Sequence, residues 1–269
     1  MAVSFFKKIT SYEITKRQRF ILMAFFLTAV LVATQTVPEN LRSATIGLLA
    51  ISTIFLASFA LWGELHGVKY VLLLLLPTFF VVGASLFYFL LPVRWLTRLP
   101  FAALFAISVY LLMLTSNIYN VAAIRTIALH RAARAVGMLF ALVSAFFLIN
   151  VFLSLHLPYY LQTLGIIVIC GPLYLVQLWS NELEDYVSRK LAAYAAVFTL
   201  VTAQIALVFS FWPLAPVAGA LILITIMYTL LGTGQFAFND QLKSRIAWEY
   251  LSIAIFVAVI IVVTARWGG

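Results

Sequence analysis

Apolar residues fill the chain in runs of about twenty, and short polar segments separate one run from the next. About twenty apolar residues in a helix are needed to cross the roughly 30 Å hydrocarbon core of a bilayer. Runs such as YVLLLLL at 70–76 and VAVIIVV at 257–263 lack the alternation of a transmembrane β-barrel. In lipid each run must satisfy its own backbone hydrogen bonds, which favours helices. The pattern therefore predicts an all-α, polytopic integral membrane protein.

Nine transmembrane helices are predicted, or eight if the eighth run, which is the shortest, is re-entrant. Their approximate bounds are 20–36, 44–62, 70–91, 101–119, 136–156, 161–180, 191–212, 217–232 and 246–265. Pro77 in the third run is compatible with a kinked membrane helix, and Gly171-Pro172 marks a break in the sixth. Residues 1–19 form a basic N-terminal segment, and residues 20–269 form a single transmembrane helical bundle.

The basic connections set the predicted orientation. The longest break in the apolar pattern is the segment 116–135, SNIYNVAAIRTIALHRAARA, and loops rich in Lys and Arg stay on the cytoplasmic side. With the N-terminus and this segment in the cytoplasm, the outer connections hold few of the 17 Lys and Arg residues, namely Arg42, Arg94, Arg98 and Arg266. We therefore predict a cytoplasmic N-terminus and a multi-pass protein of the inner, cytoplasmic or an equivalent cell membrane.

Composition supports the same class. Hydrophobic residues make up 65% of the chain and charged residues 9%, which is too little polar surface to cover a soluble domain. The net charge of +9 would suggest nucleic acid in a soluble protein, but the orientation bias already explains it here. We therefore expect anionic membrane lipids as partners, and no nucleic acid. Cys170 is the single cysteine, so no internal disulfide and no cysteine-based metal site is expected.

His130, Arg131 and Arg134 are the candidate anion-binding residues. If their segment is helical, the three side chains lie within about 100° of one another, and the helix would rest on the membrane surface with its cations over headgroup phosphates. Since Arg binds phosphate bidentately, one interpretation is a site for a lipid-linked or soluble anion. The favoured alternative is that these charges only fix the topology.

An acidic inner loop holds Glu182, Glu184 and Asp185. These carboxylates could bind a divalent cation or pair with Arg189 and the basic loop. The favoured interpretation is a solvated loop without fixed geometry, since isolated surface ion pairs contribute little. No metal site is predicted.

Three polar residues inside predicted spans are candidate functional residues. Glu249 lies about 4.5 Å into the last one, where its carboxylate can reach the interface or pair with Lys243 or Arg245. Asn150 and Gln204 lie deeper, and buried amides of this kind tie helices together more often than they line a path.

Known catalytic motifs are missing from the sequence. It contains no P-loop, no HExxH and no complete G-x-S-x-G, and no lysine falls in the middle of a span, so no cofactor is expected. Asn117, Asn181 and Asn239 each open an inner loop that is followed by basic residues, which is consistent with three similar helical hairpins. Because Asn is common in loops, the spacing alone does not favour a repeat.

Two functions are compatible with these observations. The favoured one is a non-catalytic multi-spanning membrane protein, either permease-like or an embedded partner of a larger membrane assembly. The alternative is a membrane enzyme or binder that acts on a lipid-phosphate substrate at the cytoplasmic face, with Arg131, Arg134 and an acid such as Glu182. A proton-coupled carrier would depend on Glu249 alone and is disfavoured, since such carriers place ionisable groups deep in the bundle.

Overall fold

The computed structural model describes residues 15–34, 37–38, 41–61, 67–92, 94–122, 129–212, 214–238 and 240–264. Within these ranges the chain forms nine α-helices and no strand, which confirms the predicted all-helical class. The helices are α1 (Lys16–Ala33), α2 (Arg42–Ala60), α3 (Gly67–Leu90), α4 (Trp95–Ala122), α5 (Leu129–Ser154), α6 (Tyr159–Glu182), α7 (Arg189–Phe209), α8 (Pro216–Phe238) and α9 (Ser244–Thr264).

Local chemistry explains where several helices begin and how they hold polar residues. Thr15 and Gln18 form a capping box at the start of α1, and the Ser188 hydroxyl accepts from the Leu191 amide at the start of α7. Inside the bundle, hydroxyl groups such as that of Ser144 donate to the carbonyl four residues earlier, so they need no partner from another helix. α3 continues through Pro77 as predicted, and α6 also continues through Pro172, so the expected break at 171–172 is absent.

Seven of the nine helices, α3 to α9, are long and apolar enough to cross a membrane. α1 carries Lys16, Arg17 and Arg19 within its 18 residues, and α2 offers a shorter apolar stretch, Ala44–Ala60. Large apolar side chains point outward along the bundle, among them Phe25, Leu96 and Val263, which are 75%, 89% and 76% exposed. Such a surface is suited to lipid, so these helices indicate a membrane-embedded protein. The count of nine spans and the side of the N-terminus stay predictions.

Successive helices run antiparallel. The Ser58 and Tyr70 hydroxyls, 2.8 Å apart, join the end of α2 to the start of α3, and the Arg19 guanidinium lies over the Phe59 ring. At the opposite end of the bundle, the guanidinium of Arg42 lies over the ring of Phe89. The starts of α1, α3, α5, α7 and α9 therefore share one end.

We call this end the basic end and the opposite one the far end. Among the described residues, every Lys and Arg lies at the basic end except Arg42, Arg94 and Arg98. Most of the described Lys and Arg residues thus lie at one end of the bundle, as the sequence of the loops predicted.

The core lies where α5 packs against α3, α4, α6 and α8, with a further extensive contact between α6 and α7. Its largest fully buried side chains include Trp179, Tyr88 and Tyr174. α1 packs against α4, and α2 packs against α3, on one side of this core. α9 packs chiefly against α8 and is mostly exposed.

Several predicted boundaries differ from the structure. The segment 116–135 was expected to be a loop or a separate surface helix, but α4 extends to Ala122 and α5 begins at Leu129. α1 begins at Lys16, four residues before the predicted span, and α8 is a full 23-residue helix. α5 begins before its apolar run because His130 and Arg134 find partners on α6. α1 begins before its run because Thr15 and Gln18 cap its first turn. Arg125, Asn239 and Arg266 lie outside the described residues.

Candidate functional site

A buried lysine joins the first hairpin, α3–α4, at the basic end. Lys69, the third residue of α3, is 4% exposed, and its Nζ donates to the Asn120 carbonyl at 3.0 Å. Asn120 lies two residues before the end of α4, where carbonyl groups lack partners inside the helix. The Ser116 hydroxyl adds a bond to the Leu73 carbonyl at 3.3 Å. The ammonium group thus serves as a C-terminal cap for α4.

Two of the predicted anion-binding residues make the equivalent contact in the second hairpin, α5–α6. The His130 Nε2–H donates to the Ser180 carbonyl at 2.8 Å, and the Arg134 guanidinium donates to the Asn181 Oδ1 at 2.7 Å. Both acceptors lie in the last turn of α6, which ends at Glu182. Cations are favoured there by the negative end of the helix dipole.

The third hairpin, α7–α8, repeats the contact. Lys190 is the second residue of α7, and its Nζ donates to the carbonyl of Phe238, the last residue of α8, at 2.8 Å. The ammonium also lies 4.7 Å from the centre of the Phe238 ring. Each hairpin therefore places a cation from the first two turns of its first helix on the C-terminal turn of its second helix. We call these three contacts the C-terminal clasps.

Tyr119 and Gly137 lie where α4, α5 and α6 meet near the basic end. The buried Tyr119 hydroxyl donates to the Ala133 carbonyl at 3.0 Å, and its ring meets the His130 ring edge-on at 6.1 Å. The fully buried Gln177 amide donates to the Gly137 carbonyl at 3.1 Å. Sequence reasoning did not identify Tyr119 or Gln177, although both are polar residues near the basic ends of apolar runs.

Arg131 does not join His130 and Arg134. It is exposed, whereas the other two side chains are half-buried and directed to α6. All three predicted residues thus lie in α5, but His130 and Arg134 contact α6, whereas Arg131 lies at the surface. The basic end consequently offers two fewer basic side chains to an outside anion than the sequence suggested.

The acidic residues also divide. The Glu182 carboxylate accepts from the Ser188 hydroxyl at 3.1 Å, which supports the N-cap of α7, while Glu184 and Asp185 are exposed. The Tyr186 hydroxyl donates to the Glu184 carboxylate, and this bond together with the negative charge raises the pKa of Tyr186. Among the described residues no group of three His, Cys, Asp or Glu is arranged to hold a metal.

The three polar residues inside predicted spans lie in different environments. Glu249 is exposed and pairs with Arg245, its Oε1 lying 3.2 Å from the guanidinium Nε. Gln204 is exposed on the outer surface of α7, so it does not tie helices together as expected. Asn150 is 3% exposed in α5, and its Oδ1 has no hydrogen-bond partner among the described residues.

A cavity of about 650 Å³ opens at the far end, between the end of α5, the start of α6, the end of α7 and the start of α8. We call it the far-end cavity. Its polar lining comes from His156, Gln162, Ser210 and Trp212, and its apolar walls include Leu153, Phe209 and Leu223. His156 has a φ of +49° and its ring Nδ1 lies 2.9 Å from the Ser154 carbonyl.

Sequence reasoning missed this cavity because its walls come from four helix ends that are distant along the chain. The available signals were the two short proline-containing turns at 155–158 and 210–215, each between long apolar runs. Those signals identify turns, but they do not show that the turns surround a common space.

Comparison with known proteins gives a family and little else. Neither a curated protein nor a solved structure matches the chain. A family model matches residues 63–264, which include α3 to α9 and leave α1 and α2 outside the match. The matched part thus contains the three hairpins with their clasps, the far-end cavity and α9. The chain belongs to the family described as "Protein of unknown function (DUF5656)".

Proposed function

We propose that this protein is a non-catalytic, permease-like membrane protein that binds a small ligand in the far-end cavity. The basic end and the N-terminus face the cytoplasm, and all nine helices cross the membrane. The proposal depends on the cavity, whose volume of about 650 Å³ falls in the range of roughly 300–1000 Å³ that is usual for ligand sites. Its lining combines apolar walls with a few polar groups, as such sites do.

Asn150 supports a polar route that continues below this cavity. It precedes Leu153, which lines the cavity, by three residues, so it lies on the same side of α5 and about 4.5 Å deeper. A buried amide oxygen without a partner costs about 1–3 kcal/mol, and a polar ligand or water would offset that cost.

The recurrence of the clasp in three hairpins also favours a transport role. Many transporters are built from repeated helical units whose interfaces hold the substrate. In this chain the walls of the far-end cavity come from the second and third of these hairpins. The interface between two similar units is thus where the cavity lies.

The contacts at the basic end disfavour the lipid-phosphate enzyme. His130, Arg134 and Lys69 already donate to acceptors of the protein, so a phosphate would have to compete with C-terminal carbonyls and an amide. A partner of a larger assembly is the second candidate, since α9 packs chiefly on α8 and leaves most of its apolar surface exposed.

Small molecules that co-purify with the full chain test the proposed ligand site. Ala215→Trp introduces an indole into the lining of the cavity, and Val208→Trp adds the same group to an outward-facing position on α7. Mass spectrometry should detect a small molecule with the wild type and with Val208→Trp that is absent from Ala215→Trp. Equal retention by all three proteins would contradict a ligand in the cavity.

Thiol labelling tests the orientation. Cys170 is the single cysteine and is fully buried, so a new cysteine reports its own accessibility. A membrane-impermeant maleimide should label Ser210→Cys in intact cells and Arg131→Cys only after permeabilisation. The reverse order would place the basic end outside.

A further inference from the structure

The helices α1 and α2 leave a second concavity, on the side of the bundle. It has a volume of about 500 Å³ and almost wholly apolar walls, formed by Leu22, Met23, Phe26, Ala29, Leu56 and Phe59 among others. Among the described residues of the lining, Arg19 alone is charged. We call it the α1–α2 groove.

The length of the groove matches one leaflet of a bilayer. Along α1 its lining extends from Arg19 to Ala29, ten residues, or about 15 Å at 1.5 Å per residue. This is half of the roughly 30 Å hydrocarbon core. Arg19 lies in the first turn of α1 at the basic end. With α1 crossing the membrane as proposed above, the groove begins at the interface and ends near the middle of the membrane.

Arg19 is placed to receive an anion. Its guanidinium lies 5.4 Å from the centre of the Phe59 ring, which fixes the group at the mouth of the groove. Among the described residues no carboxylate pairs with it. A guanidinium over an aromatic face keeps its N–H edges available, and those edges bind phosphate oxygens bidentately.

We propose that the α1–α2 groove binds one anionic phospholipid from the leaflet at the basic end. An acyl chain lies along the apolar lining, and the headgroup phosphate accepts hydrogen bonds from Arg19. Charge favours an anionic lipid, because Arg19 carries a positive charge at the mouth of the groove and the described part of the lining contains no acid. This site is independent of any ligand in the far-end cavity.

Native mass spectrometry of the full chain, purified in detergent and mixed with phosphatidylglycerol or phosphatidylcholine, tests the proposal. The wild type should retain one phosphatidylglycerol in preference to phosphatidylcholine. Arg19→Gln should weaken retention of phosphatidylglycerol about tenfold, since a hydrogen bond to a charged group is lost. Arg17→Gln removes the same charge two residues away on an exposed side of α1, so it is the matched control and should keep the preference.

Ala29→Phe fills the deep part of the groove and should reduce retention of both lipids. Ala29 is exposed, so the larger side chain does not disturb the core, and the unreactive thiol of buried Cys170 confirms folding. If Arg19→Gln and Arg17→Gln lose phosphatidylglycerol equally, the lipid is held by diffuse surface charge and not by a site at Arg19. That result would overturn the proposal. A dimer of the wild type that Ala29→Phe dissociates would overturn it too, since a second copy would then occupy the groove.

Discussion

Replacing Gly137 with alanine tests a close approach between α4 and α5. A Cβ on Gly137 would lie 2.2 Å from the Tyr119 hydroxyl oxygen and 3.2 Å from the ring carbon that carries it. The Tyr119 ring is 2% exposed and its hydroxyl is bonded to the Ala133 carbonyl, so it cannot move aside freely. Gly137→Ala should therefore destabilise the protein.

The magnitude follows from three contributions. Overpacking of a tight contact costs about 1–3 kcal/mol. Displacing the Tyr119 hydroxyl loses a hydrogen bond that contributes about 1 kcal/mol. Alanine in a helix interior gains about 0.5–1 kcal/mol over glycine. The sum predicts a net loss of about 1–3.5 kcal/mol for Gly137→Ala.

Tyr119→Phe provides the decisive comparison. It removes the oxygen at 2.2 Å and leaves the ring carbon at 3.2 Å, a tight contact that a shift of a few tenths of an ångström relieves. Tyr119→Phe alone should cost about 1 kcal/mol, and the double variant should cost scarcely more. The two substitutions should thus couple by at least about 1 kcal/mol.

Buried Cys170 supplies the assay. A thiol-reactive dye labels it only when the bundle opens, so labelling during a denaturant titration in detergent reports unfolding of each variant. Gly47→Ala is the matched control, because no atom lies within 4 Å of its added Cβ, and it should be neutral or slightly stabilising. If the double variant loses as much unfolding free energy as Gly137→Ala and Tyr119→Phe lose together, the predicted contact between the two residues is refuted.

Three further changes follow from named contacts. Lys69→Gln should lose about 1.5–3 kcal/mol in the same assay, because it weakens a buried bond from a charged donor, whereas Arg131→Gln at an exposed position should change little. Glu249→Gln should alter the unfolding free energy by less than about 1 kcal/mol, and a larger loss would mean that its exposed pair has a role beyond the surface. Gly232→Ala places a Cβ 2.1 Å from the Tyr250 ring, so it should reduce disulfide cross-linking between cysteines placed on α8 and α9, and Tyr250→Ala should restore part of it.

The helices could be predicted from the sequence because each apolar run is long and uninterrupted. Their ends could not, because the apolar run marks the part that contacts lipid, while the helix continues as long as its backbone is satisfied. α5 begins seven residues before the predicted span at Val136, since His130 and Arg134 find acceptors on α6. Those partners lie 50 and 47 residues further along the chain, so they leave no local signal in the sequence.

The sequence also does not predict whether a polar side chain in an apolar run faces the bundle or the outside. Gln204 and Asn150 occupy similar depths in their runs, but Gln204 is exposed and Asn150 is buried. A run that is apolar on all sides has no polar stripe, so the helical period does not tell which side faces the bundle. The sequence does not predict the far-end cavity either, because the cavity forms only when four helices pack together.

The clasps give the basic residues a second role that charge counting does not reveal. Topology depends on how many cations lie near a loop, whereas a clasp depends on a particular basic side chain at a particular acceptor in the last turn of a helix. The two roles can be separated at Lys190, because Lys190→Gln combined with Glu184→Gln keeps the net charge of the loop but removes the donor to Phe238. This pair should leave the orientation unchanged and lower the unfolding free energy by about 1–3 kcal/mol. Arg189→Gln with Glu184→Gln should change neither the orientation nor the unfolding free energy. If the two double variants are equally stable, Lys190 contributes only to the number of cations in the loop and not through its bond to Phe238.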